Sequence, residues 1–250
     1  PFGREAPAGR IAYVNGRYLP HAQAGVHIED RGLQLGDSIY EVCNVSGGRL
    51  IDEAEHLDRM ERSLREIRMV MPMARGPLKL VMREMVRRNR LTDGLLYMQV
   101  TRGTARRDHP IPEPALTPTL VMTARPRDAA QQARKYAQGV TVISAPDERW
   151  ARRDIKTTQL LPNLMARTAA RDAGALEAWL VDAEGFVTEA TAANAWIVDG
   201  QGHVVTRHLS RNILPGVTRK VILEAAAEAG QAVVERKFTL AEARESREAF

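Results

Sequence analysis

Cysteine is almost missing from this chain: Cys43 is the only one in 250 residues. No internal disulfide can form, and no cluster of thiolate metal ligands can be assembled. Aromatic residues are scarce at 5%, so the core must rest on Leu, Val, Ile, Met and Ala. No apolar run is long enough to span a bilayer, and the chain has no signal-like start. A cytoplasmic protein without a membrane partner is therefore expected. A concentrated charge of one sign is lacking as well. The 36 Lys and Arg against 31 Asp and Glu leave +5, and the Arg-rich helices carry Glu too. That pattern reads as a solvated face, and nucleic acid is not expected as a partner. The GxGxxG, Walker A, HExxH and GxSxG motifs are all absent, and no metal site is expected.

What is present is an ordered series of short elements. Ile11 to Leu19 reads as a hairpin turning at Asn15-Gly16, a pair that favours a type I′ turn. A strand is predicted over 38–45, with a return beginning near Arg49 after Gly47-Gly48. Leu57, Met60, Leu64 and Ile67 recur at helical spacing and predict a helix over 54–68. A second helix follows over 77–90, with Pro77 in its first turn. Strands are expected at 95–101 and 119–124, around a loop rich in Pro and charge. The polar stretch 125–135 reads as a boundary between a domain over 1–124 and another over 136–250. In the second half, strands are expected at 140–144, 178–181, 186–188, 194–198 and 203–206. Helices are expected at 158–173 and 217–229, with a charged helical stretch from 240. Two consecutive helices without a strand between them, in a chain otherwise mixed, indicate an α+β fold of two domains rather than a regular βαβ wheel.

The sharpest local feature is Asp154-Ile155-Lys156-Thr157-Thr158-Gln159-Leu160-Leu161. Thr157 or Thr158 is placed to cap a helix. A lysine at such a junction can project into a cleft between domains, where a desolvated amine is a usable nucleophile toward an aldehyde. A lysine snorkelling from an apolar patch fits the same residues. Glu189 follows Phe186-Val187-Thr188 and could pair with a protonated ring nitrogen, or simply end an exposed strand. Leu214-Pro215-Gly216-Val217-Thr218-Arg219 opens a helix whose first N–H groups suit a phosphate, although many helices begin this way without a ligand. Arg59 lies beside the apolar face of the first long helix and is either a phosphate donor or a surface residue. Arg107 and His109 sit in the run Arg102 to His109, where arginine could hold a carboxylate by two hydrogen bonds, or the whole loop could be solvated.

Together these residues resemble the class IV, or fold type IV, pyridoxal-phosphate aminotransferases, and within them the D-amino-acid aminotransferase group. The resemblance runs from about residue 11 to residue 250. It is carried by Glu29 to Val42, His56-Leu57-Asp58-Arg59, Gln99 to Gly103, Asp154-Ile155-Lys156, and Thr188-Glu189 through Asn194 with Leu214 to Arg219. It implies pyridoxal 5′-phosphate as cofactor, with Lys156 holding it as a Schiff base and later shuttling the proton. It implies Glu189 on the pyridine nitrogen, Arg59, Val217 and Thr218 on the phosphate, and Leu214 against the ring. Tyr40 would line the substrate side, and Arg107 and His109 would trap the substrate carboxylate in the neighbouring subunit of a homodimer.

The implied reaction moves an amino group between a D-amino acid, such as D-alanine, D-glutamate or D-aspartate, and a 2-oxo acid such as 2-oxoglutarate or pyruvate. Branched-chain or (R)-selective amine transamination is the alternative, and aminodeoxychorismate lyase a more distant one. Three features depart from the group's pattern. Arg106 adds a second cation beside Arg107. The segment Ala190-Thr191-Ala192-Ala193 replaces a serine-rich one. The second domain is expected to continue past Phe250.

Overall fold

Asn15 and Gly16 both take positive φ, 43° and 88°, the backbone that a type I′ turn requires. They join strand β1 (Ile11–Val14) to β2 (Arg17–Pro20) in the expected hairpin. The computed structural model describes residues 9–250. It divides into one unit of residues up to Ala133 together with Lys156–Gln159, and a second of Arg134–Ile155 and Leu160–Phe250.

The first unit continues with a short helix α1 (Arg31–Leu35), strands β3 (Ser38–Ser46) and β4 (Arg49–Leu50), helices α2 (Glu53–Glu66) and α3 (Arg75–Arg88), and strands β5 (Gly94–Thr101) and β6 (Thr119–Pro126). Its sheet runs β2-β1-β6-β5-β3-β4, with every neighbouring pair antiparallel. The i, i+3, i+4 apolar pattern buries Leu57, Met60 and Leu64 on α2, and Leu78, Met82 and Met85 on α3. Gly94 has a steric reason for being glycine: a Cβ there would lie 2.3 Å from the Arg125 carbonyl oxygen.

β4 pairs only with Val45 and Ser46, so it leaves the first half of β3 without a partner on that side. Residues 156–158 take the place. Tyr40 N donates to Lys156 O at 2.9 Å, Thr158 N donates to Ser38 O at 3.3 Å, and Ile39 bridges Thr157. Segment 156–158 is therefore extended, and neither threonine caps a helix. The helix expected from 158 begins three residues later, as α5 (Leu161–Asp172), and no side chain caps it.

The second unit holds α4 (Ala129–Gln138, in part), β7 (Val142–Pro146), α5, β8 (Glu177–Val181), β9 (Val187–Ala190), β10 (Trp196–Val198), β11 (Val204–Thr206), α6 (Val217–Glu228), β12 (Val233–Glu235), α7 (Leu240–Glu245) and β13 (Glu248–Ala249). One sheet runs β7-β8-β9 and another β12-β11-β10-β13. The parallel pair β7–β8 is bridged through α5, and Ala170, Ala175 and Ala178 let that helix lie close. The main core gathers Trp179, Val187, Ala195, Ile197, Val205 and Phe238. Helix α4 occupies much of the polar stretch 125–135, and β12 and β13 are too short to have shown a pattern of their own. This mixed architecture is the expected α+β fold.

Phe238 is fully buried and meets Trp179 edge-on, with ring centroids 6.0 Å apart. Phe238→Ala should cost about 3–5 kcal/mol of stability, read from the midpoint of urea unfolding. A loss below about 1 kcal/mol would contradict the packing described.

Candidate active site

Lys156 is held by its own backbone. Its carbonyl is bonded to β3, and its N–H points to Ser63 Oγ on α2 at 3.4 Å. The side chain then passes Tyr40, with Nζ 3.4 Å from the tyrosine hydroxyl and 4.4 Å from the ring centroid. Tyr40 stacks on Tyr97 at 5.7 Å. Tyr97 donates to Gln99 Oε1 at 2.9 Å, and Gln99 donates to Ser38 Oγ at 3.2 Å. Burial pushes the Tyr97 hydroxyl up to about 12, so it stays a neutral donor. The amine thus stands beside a wall of aromatic rings and hydroxyls on β3 and β5. Elsewhere, Lys79, Lys220 and Lys237 form ion pairs with Glu53, Glu224 and Glu184.

Arg59 stands on α2 with its guanidinium turned to β3. Its Nε donates to Glu41 Oε1 at 2.8 Å and one terminal nitrogen donates to Glu41 Oε2 at 2.7 Å. His56 Nδ1 lies 2.8 Å from the same carboxylate. Glu41 is fully buried. Burial opposes its charge, but hydrogen bonds from Arg59 and His56 outweigh it and hold the carboxyl below the usual range. The fork fixes the guanidinium in one plane. Arg107 and His109 lie elsewhere in this unit, exposed on the loop between β5 and β6.

The second unit carries the acid. Glu189 lies inside β9 and is buried, with a relative exposure of 4%. Its Oε2 accepts from Asn194 Nδ2 at 3.0 Å and from the Leu214 N–H at 3.1 Å. Arg149 donates to Oε1, and grips Asp147 at 2.8 Å through both Nε and a terminal nitrogen. Asp147 also accepts from Thr188 Oγ1 at 2.7 Å. Arg149 thus bridges two carboxylates, and Asp147 also has Arg153, 3.4 Å away. Burial raises the Glu189 carboxyl above the usual value, against the pull of Arg149 and the Leu214 amide. A buried acid in that condition binds a proton, or a protonated ring nitrogen, favourably.

Asn194 also donates to Leu214 O at 3.0 Å, which ties the acid to the turn ahead of α6. A Cβ on Gly216 would lie 2.1 Å from Asn194 Oδ1, so this close approach requires glycine. Gly216 caps α6 without a side-chain bond, and the N–H groups of Val217 and Thr218 fall in the first turn, where no carbonyl of the helix can reach them.

A family model for class IV amino-transferases matches residues 38–250. The D-alanine aminotransferase of Listeria monocytogenes is 39% identical over 95% of this chain and 81% of its own length. The chain belongs to the class IV aminotransferases. The branched-chain amino acid aminotransferase of Escherichia coli shares the fold, with a TM-score of 0.87 at 22% identity, over 97% of this chain and 82% of that one. So does the T.th. branched-chain amino acid aminotransferase, solved with pyridoxamine 5′-phosphate. Its TM-score is 0.86 at 24% identity, over 96% of this chain and 81% of that one.

Class IV aminotransferases are pyridoxal-phosphate enzymes, and the chemistry of this chain's donors fits that cofactor: an amine, a buried acid, a fixed guanidinium and a helix start with no side-chain cap. Of the residues singled out in the sequence, Tyr40, Arg59 and Lys156 belong to the first unit, with Tyr40 and Lys156 in contact. Glu189, Leu214, Val217 and Thr218 belong to the second, with Glu189 bonded to Leu214. Glu41, Arg149 and Asp147 escaped notice. Arg149 is close in sequence to Arg152 and Arg153, and only the fold shows which of them meets Glu189.

A carboxyl held below its unfolded value stabilises the fold above about pH 4.3, the ordinary glutamate range, and that contribution fades as pH falls through the folded value. Arg59→Met would take both guanidinium bonds from the buried Glu41 carboxylate and leave it beside His56. In cofactor-free protein it should cost about 3–5 kcal/mol at pH 7, and the gap to wild type should narrow as acid protonates Glu41. A pH-independent difference in urea unfolding would contradict the pairing.

Proposed function

We propose that this class IV aminotransferase moves amino groups from D-amino acids, of the D-alanine, D-glutamate or D-aspartate type, to 2-oxo acids. The observation that supports this best is the loop after β5, where Arg107 and His109 stand two residues apart and exposed. Arginine matches a carboxylate by two parallel hydrogen bonds, and histidine adds a further donor. The loop's root is fixed, because Gly103 has φ +106° and a Cβ there would lie 2.2 Å from Thr117 O. Similarity to the Listeria D-alanine aminotransferase over nearly the whole chain supports the same substrate class.

Lys156 is the residue to hold the cofactor covalently. Glu189 would pair with its ring nitrogen, Arg59 and the N–H groups of Val217 and Thr218 with its phosphate, and Leu214 would pack against its ring. Pyridoxal phosphate, when bound, supplies an electron sink for charge developing at the substrate Cα. The chain's part is to handle protons and fix orientation. Lys156 Nζ, released when the substrate's amine takes its place, would accept the proton from the substrate Cα and can return it, and the Tyr40 hydroxyl beside it steadies the amine between transfers. Glu189, as an anion, keeps a proton on the ring nitrogen. Glu41 keeps the Arg59 guanidinium aimed in one direction, so little ordering is needed when an anion binds.

The working form in this reading is a homodimer, supported by the exposed apolar row Leu161, Leu164 and Met165 on α5. Its setting is the cytoplasm, where a single cysteine is ordinary. Among the described residues, no helix is long and apolar enough to cross a membrane.

Arg107→Leu should raise KM for D-amino acids roughly tenfold or more, the loss of one charge-assisted pair, with little change in kcat. Steady-state kinetics on a panel of D- and L-amino acids would measure this. An unchanged KM, or a stronger preference of the wild type for L-branched-chain substrates, would overturn the assignment.

A further inference from the structure

Arg31 is a buried cation that the reaction as described above does not use. It opens α1, and only 4% of its side chain is exposed. Asp30, just before it, caps α1 by accepting from Gly32 N at 2.8 Å, and also accepts from Thr101 Oγ1 at 2.9 Å at the end of β5. The Arg31 backbone N–H donates to Gly103 O at 2.9 Å, and Asp30 bridges Thr104. The start of α1 and the root of the β5–β6 loop are thus one hydrogen-bonded structure.

The guanidinium then extends along the loop to its tip. One terminal nitrogen donates to Asp108 O at 2.7 Å and the other to His109 O at 3.4 Å. These carbonyls belong to the peptide planes on either side of the His109 Cα. Fixing both planes fixes the φ and ψ of His109, and with them the direction in which its side chain leaves the backbone. A third bond reinforces this, since His109 N donates to Asp108 Oδ1 at 2.8 Å.

Arg31 is in turn aimed from behind. Its Nε donates to Asp37 Oδ2 at 2.8 Å. Arg102 binds the same carboxylate at both oxygens, at 2.7 and 2.9 Å, and donates to the carbonyls of Ile67 and Arg68 at 2.7 and 2.9 Å, where α2 ends. Burial opposes the Asp37 charge, but the two guanidiniums outweigh it and hold the carboxyl below its usual range. The sequence Arg102–Asp37–Arg31 is therefore a rigid charged strut from the end of α2 to the tip of the loop.

We propose that Arg31 is a positioning residue for recognition of the substrate carboxylate: it pre-forms the loop tip that presents Arg107 and His109. The proposal rests on the assignment of Arg107 and His109 as carboxylate ligands. Without Arg31 the tip would have to be ordered when substrate binds, and that cost lowers affinity rather than the rate of the bound complex.

The test uses the pyridoxal-phosphate-loaded enzyme and single-turnover kinetics with whichever D-amino acid the wild type turns over best. Arg31→Met removes the strut. Arg31→Lys keeps a positive charge beside Asp37, but a single ammonium cannot span both carbonyls and the carboxylate, and this variant decides the matter if Arg31→Met does not fold. Arg107→Leu runs in parallel. The half-saturating concentration is expected to rise about tenfold in Arg31→Met, and in the same direction in Arg31→Lys. The rate at saturation should stay within about threefold, and the visible absorbance of the bound cofactor should not change. A folded Arg31 variant with unchanged half-saturation, or one whose saturating rate falls while half-saturation holds, would overturn the proposal. If Arg107→Leu itself leaves half-saturation unchanged, the underlying carboxylate assignment has failed, whatever the Arg31 variants do.

Discussion

The extended segment 156–158 lies along β3, held by the bonds from Tyr40 N to Lys156 O and from Thr158 N to Ser38 O, and the surroundings of the Lys156 amine follow from that placement. It exists because β4 is too short to cover β3. An unpaired strand edge is costly when buried, and the lysine segment satisfies it. The amine is therefore carried on backbone that the sheet itself holds, and its neighbour Tyr40 comes from the same stretch of strand. A Lys side chain has four rotatable bonds and loses considerable entropy on ordering. Fixing its backbone and flanking it with a stacked pair of tyrosines limits that cost.

Charge in both units is handled by sharing. Glu41 binds Arg59 and His56; Asp37 lies between Arg31 and Arg102; Arg149 lies between Asp147 and Glu189. In the first two clusters an acid has two basic partners and its carboxyl is held low. In the third, Arg149 joins two acids: Asp147, which also pairs with Arg153 at 3.4 Å, is held low, while burial raises Glu189. Breaking any of these buried pairs should cost more than an exposed pair is worth, because the surviving charge has no water to turn to.

Much of the fold was legible wherever the signal is local. Asn15-Gly16 specifies its turn through backbone sterics alone. Leu57, Met60 and Leu64 mark the buried stripe of α2 because a helix repeats every 3.6 residues. The site was legible mainly through resemblance, since Lys156, Glu189 and Arg59 each admitted a plain surface reading. The misreadings have a common physical origin. Thr157 and Thr158 have the chemistry of helix caps, and only the vacant edge of β3, more than a hundred residues earlier, draws them into an extended segment. The partners Glu41 and Arg149 were invisible for the same reason, because a side chain's long-range pairing leaves no periodic trace. α4 was hidden in a polar stretch, and β12 and β13 are too short for alternation to show.

Attachment of the cofactor to Lys156 can be read by reducing the pyridoxal-phosphate-loaded protein with borohydride and mapping the modified peptide by mass spectrometry. The cofactor's mass is expected on the peptide containing Lys156 and should be lost in Lys156→Ala. Finding it on Lys79, Lys135, Lys220 or Lys237, or finding it undiminished in Lys156→Ala, would place the cofactor elsewhere.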